Sequence, residues 1–227
     1  IMHSVKCHNS PEETDTQTMN TKLTLYGDEI SPPVRFVLMT ASLLEIKLDF
    51  HKIELFKAEN KSSYFTKINP LQKVPALQVG DDVICDSHAI TAYLCHARHA
   101  HNLYPEDPLS RAKVDEALFF NSGTLFPLNS YILVSNDFVE IILTKLQQWF
   151  SAVDYIENRL NNSTWLAGDK FTLGDLCCAT TVSSLQVLVP LLDRHLKVKQ
   201  WLEKLQKLPC YEINIRGLER LKNLLCN

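Results

Sequence analysis

The sequence predicts an α/β unit, a mixed four-stranded sheet with helices on its faces, followed by an all-α unit. Three observations carry this. Residues 23–97 alternate strand and helix patterns in the order β-α-β-α-β-β-α. The stretch from Ala100 to Pro108 holds two prolines and no periodicity, which marks a boundary. Everything beyond it reads as helix. The expected division is a disordered tail over 1–20, the α/β unit over 21–98, a linker over 99–108 and the helical unit over 109–227.

Each element has its own signal. Ile1 to Asn20 is polar, and Met19 is the expected natural start, because a chain opening on Ile1 is not an intact translation product. Leu23 to Tyr26 reads as a short strand. Val34, Val37, Leu38, Ala41 and Leu44 recur at helical spacing behind Ser31 as N-cap and Pro32 at the first helical position. Leu48 to Leu55 is the second strand, and Glu59 to Lys67 a short polar helix. Val74 to Val79 is a strand that tolerates Pro75 at its start, where the missing N–H lies outside the ladder. Gly80-Asp81-Asp82 turns it back into Val83 to Cys85. Asp86 and Ser87 then supply capping oxygens for a helix bearing Ala89, Ile90, Tyr93 and Leu94.

In the second half, 109–133 and 137–160 are two long helices, the first bent by Gly123 and Pro127. Asn161 to Lys170 is a loop. Thr172-Leu173-Gly174-Asp175 forms a capping box with Asp in the usual Glu place, and Phe171 is set to staple onto Leu176. That helix is expected to reach Pro190, the next to span Asp193 to Leu208, and the last Gly217 to Leu225.

Composition narrows the function. With 227 residues, 45% of them hydrophobic, the chain can bury one large core or two modest ones. A net charge of −3 without a Lys/Arg block gives no footprint for nucleic acid. No apolar run approaches the ~20 residues a membrane span needs. The first residues lack a signal-peptide centre. The seven cysteines (Cys7, Cys85, Cys95, Cys177, Cys178, Cys210, Cys226) form no Cys-x-x-Cys pair, so neither a zinc ribbon nor a dithiol redox motif is expected, and no metal. Cys177 and Cys178 fit core packing. A reducing, cytoplasmic setting follows, and the Asn60-Lys61-Ser62 and Asn162-Ser163-Thr164 sequons are chance matches.

Two places carry chemistry. Read alone, Ser31 either caps its helix, the commoner role of an isolated Ser-Pro-Pro, or donates its hydroxyl to an anion beside the positive helix end. A thiolate is the obvious anion if the ligand is a thiol peptide. Lowering a thiol pKa by two units takes about 2.7 kcal/mol of preferential anion stabilisation, within reach of a hydroxyl hydrogen bond plus a helix dipole. The second place is Asn69 to Ile90, which offers an unpaired strand-entry backbone at Val74 and a helix N-terminus at Ser87. Together these suit a small peptide carrying a free carboxylate.

Ser31-Pro32-Pro33-Val34-Arg35, then Asn69-Pro70, Val74-Pro75 and Asp86-Ser87-His88-Ala89-Ile90, resemble the glutathione-binding domain of cytosolic glutathione S-transferases. The last motif looks most like the insect epsilon class. The helical half with its capping box fits too, so the resemblance covers 22–225. It implies a thioredoxin-like first domain, glutathione as co-substrate and a homodimer. In that frame Ser31 orients and ionises the glutathione thiol. Pro75 is cis and presents the Val74 backbone to the cysteinyl amide, and Asp86 and Ser87 receive the γ-glutamyl end. His88 either adds a polar contact or faces outward.

Where epsilon-class enzymes usually carry a histidine against the glycyl carboxylate, this chain has Gln72, followed by Lys73. A neutral amide bonds a carboxylate more weakly than a charged donor, which points to a weakened site unless Lys73 reaches in. The second-substrate pocket is expected between the domains, lined by Ile30, Pro32, Leu55, Phe56, Phe126, Asn129, Ser130, Leu133 and Leu221. The Ser31 motif and the pattern Tyr211-Glu212, Asn214, Gly217-Leu218-Glu219, Leu221 are also similar to the Noppera-bo proteins, which implies a role in ecdysteroid production through sterol handling. There an acidic residue meets a steroid hydroxyl at the position of Asn129. The implied activity is conjugation of glutathione to apolar electrophiles; the alternative is a weakly catalytic or non-catalytic glutathione- and steroid-binding protein.

Overall fold

The computed structural model describes residues 22–134 and 139–225. The tail over 1–20, Met19, Cys7 and Cys226 lie outside the described residues.

The first half is a four-stranded sheet in the order β2-β1-β3-β4, formed by β1 Leu23–Gly27, β2 Asp49–Lys52, β3 Ala76–Val79 and β4 Asp82–Cys85. β1 runs parallel to β2 and antiparallel to β3, and β3 and β4 form the expected hairpin. β2 stops before the expected Leu55. The N–H of Ile53 still reaches the Gly27 carbonyl at 2.8 Å, but that of Leu55 turns to the Asp28 carboxylate at 3.3 Å. The polar helix expected from Glu59 divides into a 3-10 turn, Glu59–Lys61, and α2, Ser63–Ile68, because Ser62 caps the latter by accepting from Phe65 N–H.

Helix α1, Pro32–Leu43, serves two cores. Val37 and Ala41 join Leu25, Leu77, Ile90 and Leu94 under the sheet, together with α3, Ser87–Ala97. Phe36 and Met39, on another side of the same helix, join the core of the helical half. The remaining helices are α4 Pro108–Phe120, α5 Phe126–Val134, α6 Val139–Asn162, α7 Leu173–Leu185, α8 Leu196–Gln206 and α9 Glu212–Leu225. The bend expected at Gly123 and Pro127 is a π segment, Asn121–Leu125, inserted between α4 and α5.

Every residue of α7 is buried, as befits the central rod of a bundle. It ends at Leu185, five residues short of Pro190, which pushes its predecessor away from helical angles. The capping box is present, and Asp175 also accepts from Leu166 N–H at 2.9 Å and Trp201 Nε1 at 3.0 Å. One carboxylate thus ties the 161–170 loop, α7 and α8 together. Phe171 meets Trp165 edge-on. α8 starts at Leu196, later than expected, since buried His195 takes Leu192 N–H and pairs with Asp154. α9 starts five residues before Gly217, which therefore sits inside a helix. No helix among the described residues is long and apolar enough to cross a membrane.

Candidate functional site

Sheet register brings three separated segments to one end of the sheet. Tyr26 pairs with Ala76, and Ala76 with Cys85. The end of β1, the start of β3 and the end of β4 are therefore level. Ser31, which follows β1, Val74-Pro75, which precede β3, and Asp86-Ser87, which follow β4, all emerge at that end.

Ser31 is the N-cap residue of α1 by backbone angle, yet its side chain makes no capping hydrogen bond. Pro32 and Pro33 bring no N–H, and those of Val34 and Arg35 both go to the Ser31 carbonyl at 3.1 Å. The hydroxyl is the donor this helix end has left to offer. The first turn carries no acidic residue that would offset the positive end of the helix dipole. Ser31 is 9% exposed, so an anion beside it would be largely out of water.

The Val74-Pro75 bond is cis. The turn before it is built by buried Asn69, whose Oδ1 accepts Leu71 N–H and whose Nδ2 donates to the Lys73 carbonyl. Gln72 has a left-handed φ of 56°, and its amide donates to Thr66 Oγ1 at 3.2 Å. Lys73 is exposed. Asp86 also sits at positive φ, 84°, while its Oδ1 caps α3 by accepting from His88 and Ala89 N–H. Backbone strain of this kind collects at ligand sites. Hydrogen bonding to the His88 ring holds the Asp86 carboxyl below its ordinary range, so it is an anion at neutral pH.

His88 does not face outward. Its ring lies between Asp86, with Nδ1 to Oδ1 at 3.2 Å, and Cys177 of α7, with Nε2 to Sγ at 3.2 Å, beside Phe36. Burial raises the Cys177 pKa, so the sulfur is a thiol and can donate to the imidazole. The contact links the capped turn to the helical half.

The residues expected to line the second pocket fall into two groups. Ile30 and Leu55 flank Asp28, whose carboxylate accepts both their N–H groups, and Leu221 follows Arg220, which pairs with the same carboxylate. Pro32 is buried at the head of α1 beside them, whereas Phe56 is 60% exposed. On α5, Phe126 and Leu133 are half-buried and Ser130 is exposed. Asn129 is buried and donates to the Thr181 carbonyl at 3.1 Å. An open groove of about 1000 Å³ between α5 and α6 contains none of these nine residues.

Sequence reasoning gave no role to Asp28, Arg35, Arg216 or Arg220. The arginines at 216 and 220 are one helical turn apart and match the adjacent acids at 28 and 29, but one sequence cannot show that α9 lies on this loop.

Family models agree with the geometry. Residues 25–102 match that of the glutathione S-transferase N-terminal domain, and 130–209 that of the C-terminal domain. Glutathione S-transferase 1 of Manduca sexta is 35% identical, over 90% of this chain and 98% of its own. An epsilon-class glutathione S-transferase from the housefly, Musca domestica, superposes with a TM-score of 0.83 at 32% identity, covering 90% and 97% of the two chains. A glutathione transferase homolog from Drosophila mojavensis, solved with bound glutathione, superposes at 0.82 with 32% identity, covering 89% and 95%.

Proposed function

Because the chain belongs to the glutathione S-transferase family, we propose that it joins the sulfur of glutathione to apolar electrophiles, with Ser31 as the catalytic residue. The observation that carries this reading is the Ser31 hydroxyl, free of capping duty at the end of the sheet from which the two peptide-gripping turns also leave. The thiolate attacks the electrophilic carbon, a C–S bond forms and the leaving group departs with its electron pair. Ser31 donates a hydrogen bond to the sulfur and holds its pKa down. Val74 lends its backbone to the cysteinyl amide behind Pro75. Asp86 and Ser87 hold the γ-glutamyl end, with His88 behind them orienting the Asp86 carboxylate, and Gln72 and Lys73 lie toward the glycyl carboxylate. Conjugation of a chloronitrobenzene by wild type and Ser31→Ala tests this: equal rates would remove Ser31 from the mechanism.

Further parts of the proposal are the epsilon class, a homodimer, cytoplasmic residence, and domains divided at 21–98, 99–108 and 109–227. The Asp86-Ser87-His88-Ala89-Ile90 motif and the likeness to the housefly enzyme support the class. Ecdysteroid or sterol handling stands second. The Asn129 amide is committed to Thr181, and an amide oxygen accepts from a hydroxyl less strongly than a carboxylate does. Inhibition of conjugation by a hydroxysteroid should therefore be weak; no inhibition at all would count against that role.

A further inference from the structure

Two carboxylates stand immediately before the catalytic turn, and α9 meets both. Arg220 Nη1 lies 2.9 Å from Asp28 Oδ1, and Arg216 Nη2 lies 3.1 Å from Glu29 Oε1. The Asp28 side chain is 2% exposed. Its Oδ1 accepts Ile30 N–H at 3.4 Å, its Oδ2 accepts Leu55 N–H at 3.3 Å, and its own carbonyl accepts Ser31 N–H at 2.9 Å. Asp28 thus organises the whole turn that ends at Ser31.

Between the two arginines, Gly217 lets α9 close onto the same turn, for a Cβ there would lie 2.3 Å from the Glu29 carbonyl oxygen. The helix therefore rests on backbone and is locked in place by the two ion pairs. Without its partner, Asp28 would be a buried, unpaired charge, free to draw water or turn outward.

From this we infer that Arg220 is a positioning residue for the conjugation reaction: it holds Asp28, and Asp28 holds the Ser31 hydroxyl where the glutathione sulfur arrives. The inference rests on the reading of Ser31 given above. The peptide-gripping turns at 72–75 and 86–88 lie outside this clamp, so it governs the sulfur and not the grip on glutathione.

The test is a double-mutant cycle of Arg220→Met and Ser31→Ala, with Arg220→Lys as the rescue. The readouts are the pKa of the bound thiol, from thiolate absorbance, and separate kcat and KM values. Arg220→Met should raise the bound thiol pKa by about one unit and so lower kcat about tenfold when both are measured at a fixed pH below the wild-type value. The glutathione KM should stay within about twofold, as expected when a contact acts on the reacting atom alone. Arg220→Lys should recover most of the loss. In the Ser31→Ala background Arg220→Met should add nothing. An unchanged thiol pKa in Arg220→Met, or a full additive loss without Ser31, overturns the inference. If Ser31→Ala alone leaves the thiol pKa unmoved, the Ser31 reading itself fails, a separate outcome.

Discussion

The Arg35 Nε donates to Asn214 Oδ1 at 2.8 Å, joining residues 179 positions apart and the two halves of the molecule. All five N–H donors of this fully buried guanidinium are used. Besides Asn214 they reach the carbonyls of Glu29, Ile30 and Thr180 and the Ser184 hydroxyl. Burial pulls its pKa down to about 9, so at neutral pH it remains a cation lodged behind the Ser31 turn.

Removing that cation should cost more than replacing it with another cation. Arg35→Met is expected to lose about 3–5 kcal/mol of stability, because buried acceptors from both halves lose their donor together. Arg35→Lys keeps the charge but has three donors on one atom and should still lose about 1–3 kcal/mol. Denaturant unfolding measures both; a lysine variant as stable as wild type would show that geometry does not matter there.

Gly217→Ala should destabilise although alanine is the better helix former. A Cβ would lie 2.3 Å from the Glu29 carbonyl oxygen and 2.4 Å from Arg35 Cδ. The expected net cost is about 1–3 kcal/mol, with a fall in kcat as the Ser31 turn shifts. A rise in melting temperature would contradict the packing described.

These contacts mark the limit of what the sequence discloses. Ser31-Pro32-Pro33, the hairpin over Val74 to Cys85 and the Asp86 cap are local patterns with local causes, and each is legible. The order of strands and helices follows from their periods. Arg35 with Asn214, and Asp28 with Arg220, are pairs made by tertiary packing, with no spacing rule to betray them. Gly217 looked like a helix start because glycine usually interrupts helices; here it is retained inside one for close approach. His88 looked as though it could face solvent because Cys177 is 89 residues away.

Gln72→His should strengthen glutathione binding several-fold, and more so near pH 6, where the imidazole carries charge. The backbone there is left-handed at φ 56°, a conformation histidine adopts more readily than most residues. Calorimetric titration with glutathione decides it: equal affinity would mean that Lys73 or the backbone already satisfies the glycyl carboxylate.

Burial pushes the Asp175 carboxyl up to about 6 from an ordinary 3.8, despite donors from Leu166, Thr172 and Trp201. Between about pH 4 and 6 the folded chain keeps a proton that the unfolded chain releases, so this group's contribution to stability falls as pH rises through that window. The total change is about 3 kcal/mol. Asp175→Asn cannot titrate, so wild-type stability relative to this variant should decline from about pH 4 to pH 7. A constant difference across that range would refute the shift.

The proposed chemistry turns on Ser31 stabilising the glutathione thiolate. The direct measurement is the ionisation of bound glutathione, followed by thiolate absorbance against pH in wild type and Ser31→Ala. Wild type should titrate about two units below a free thiol near 8.5, and Ser31→Ala should return most of the way to that value with glutathione still bound. A bound thiol that titrates at its free value in wild type, or at the same depressed value without Ser31, would contradict it.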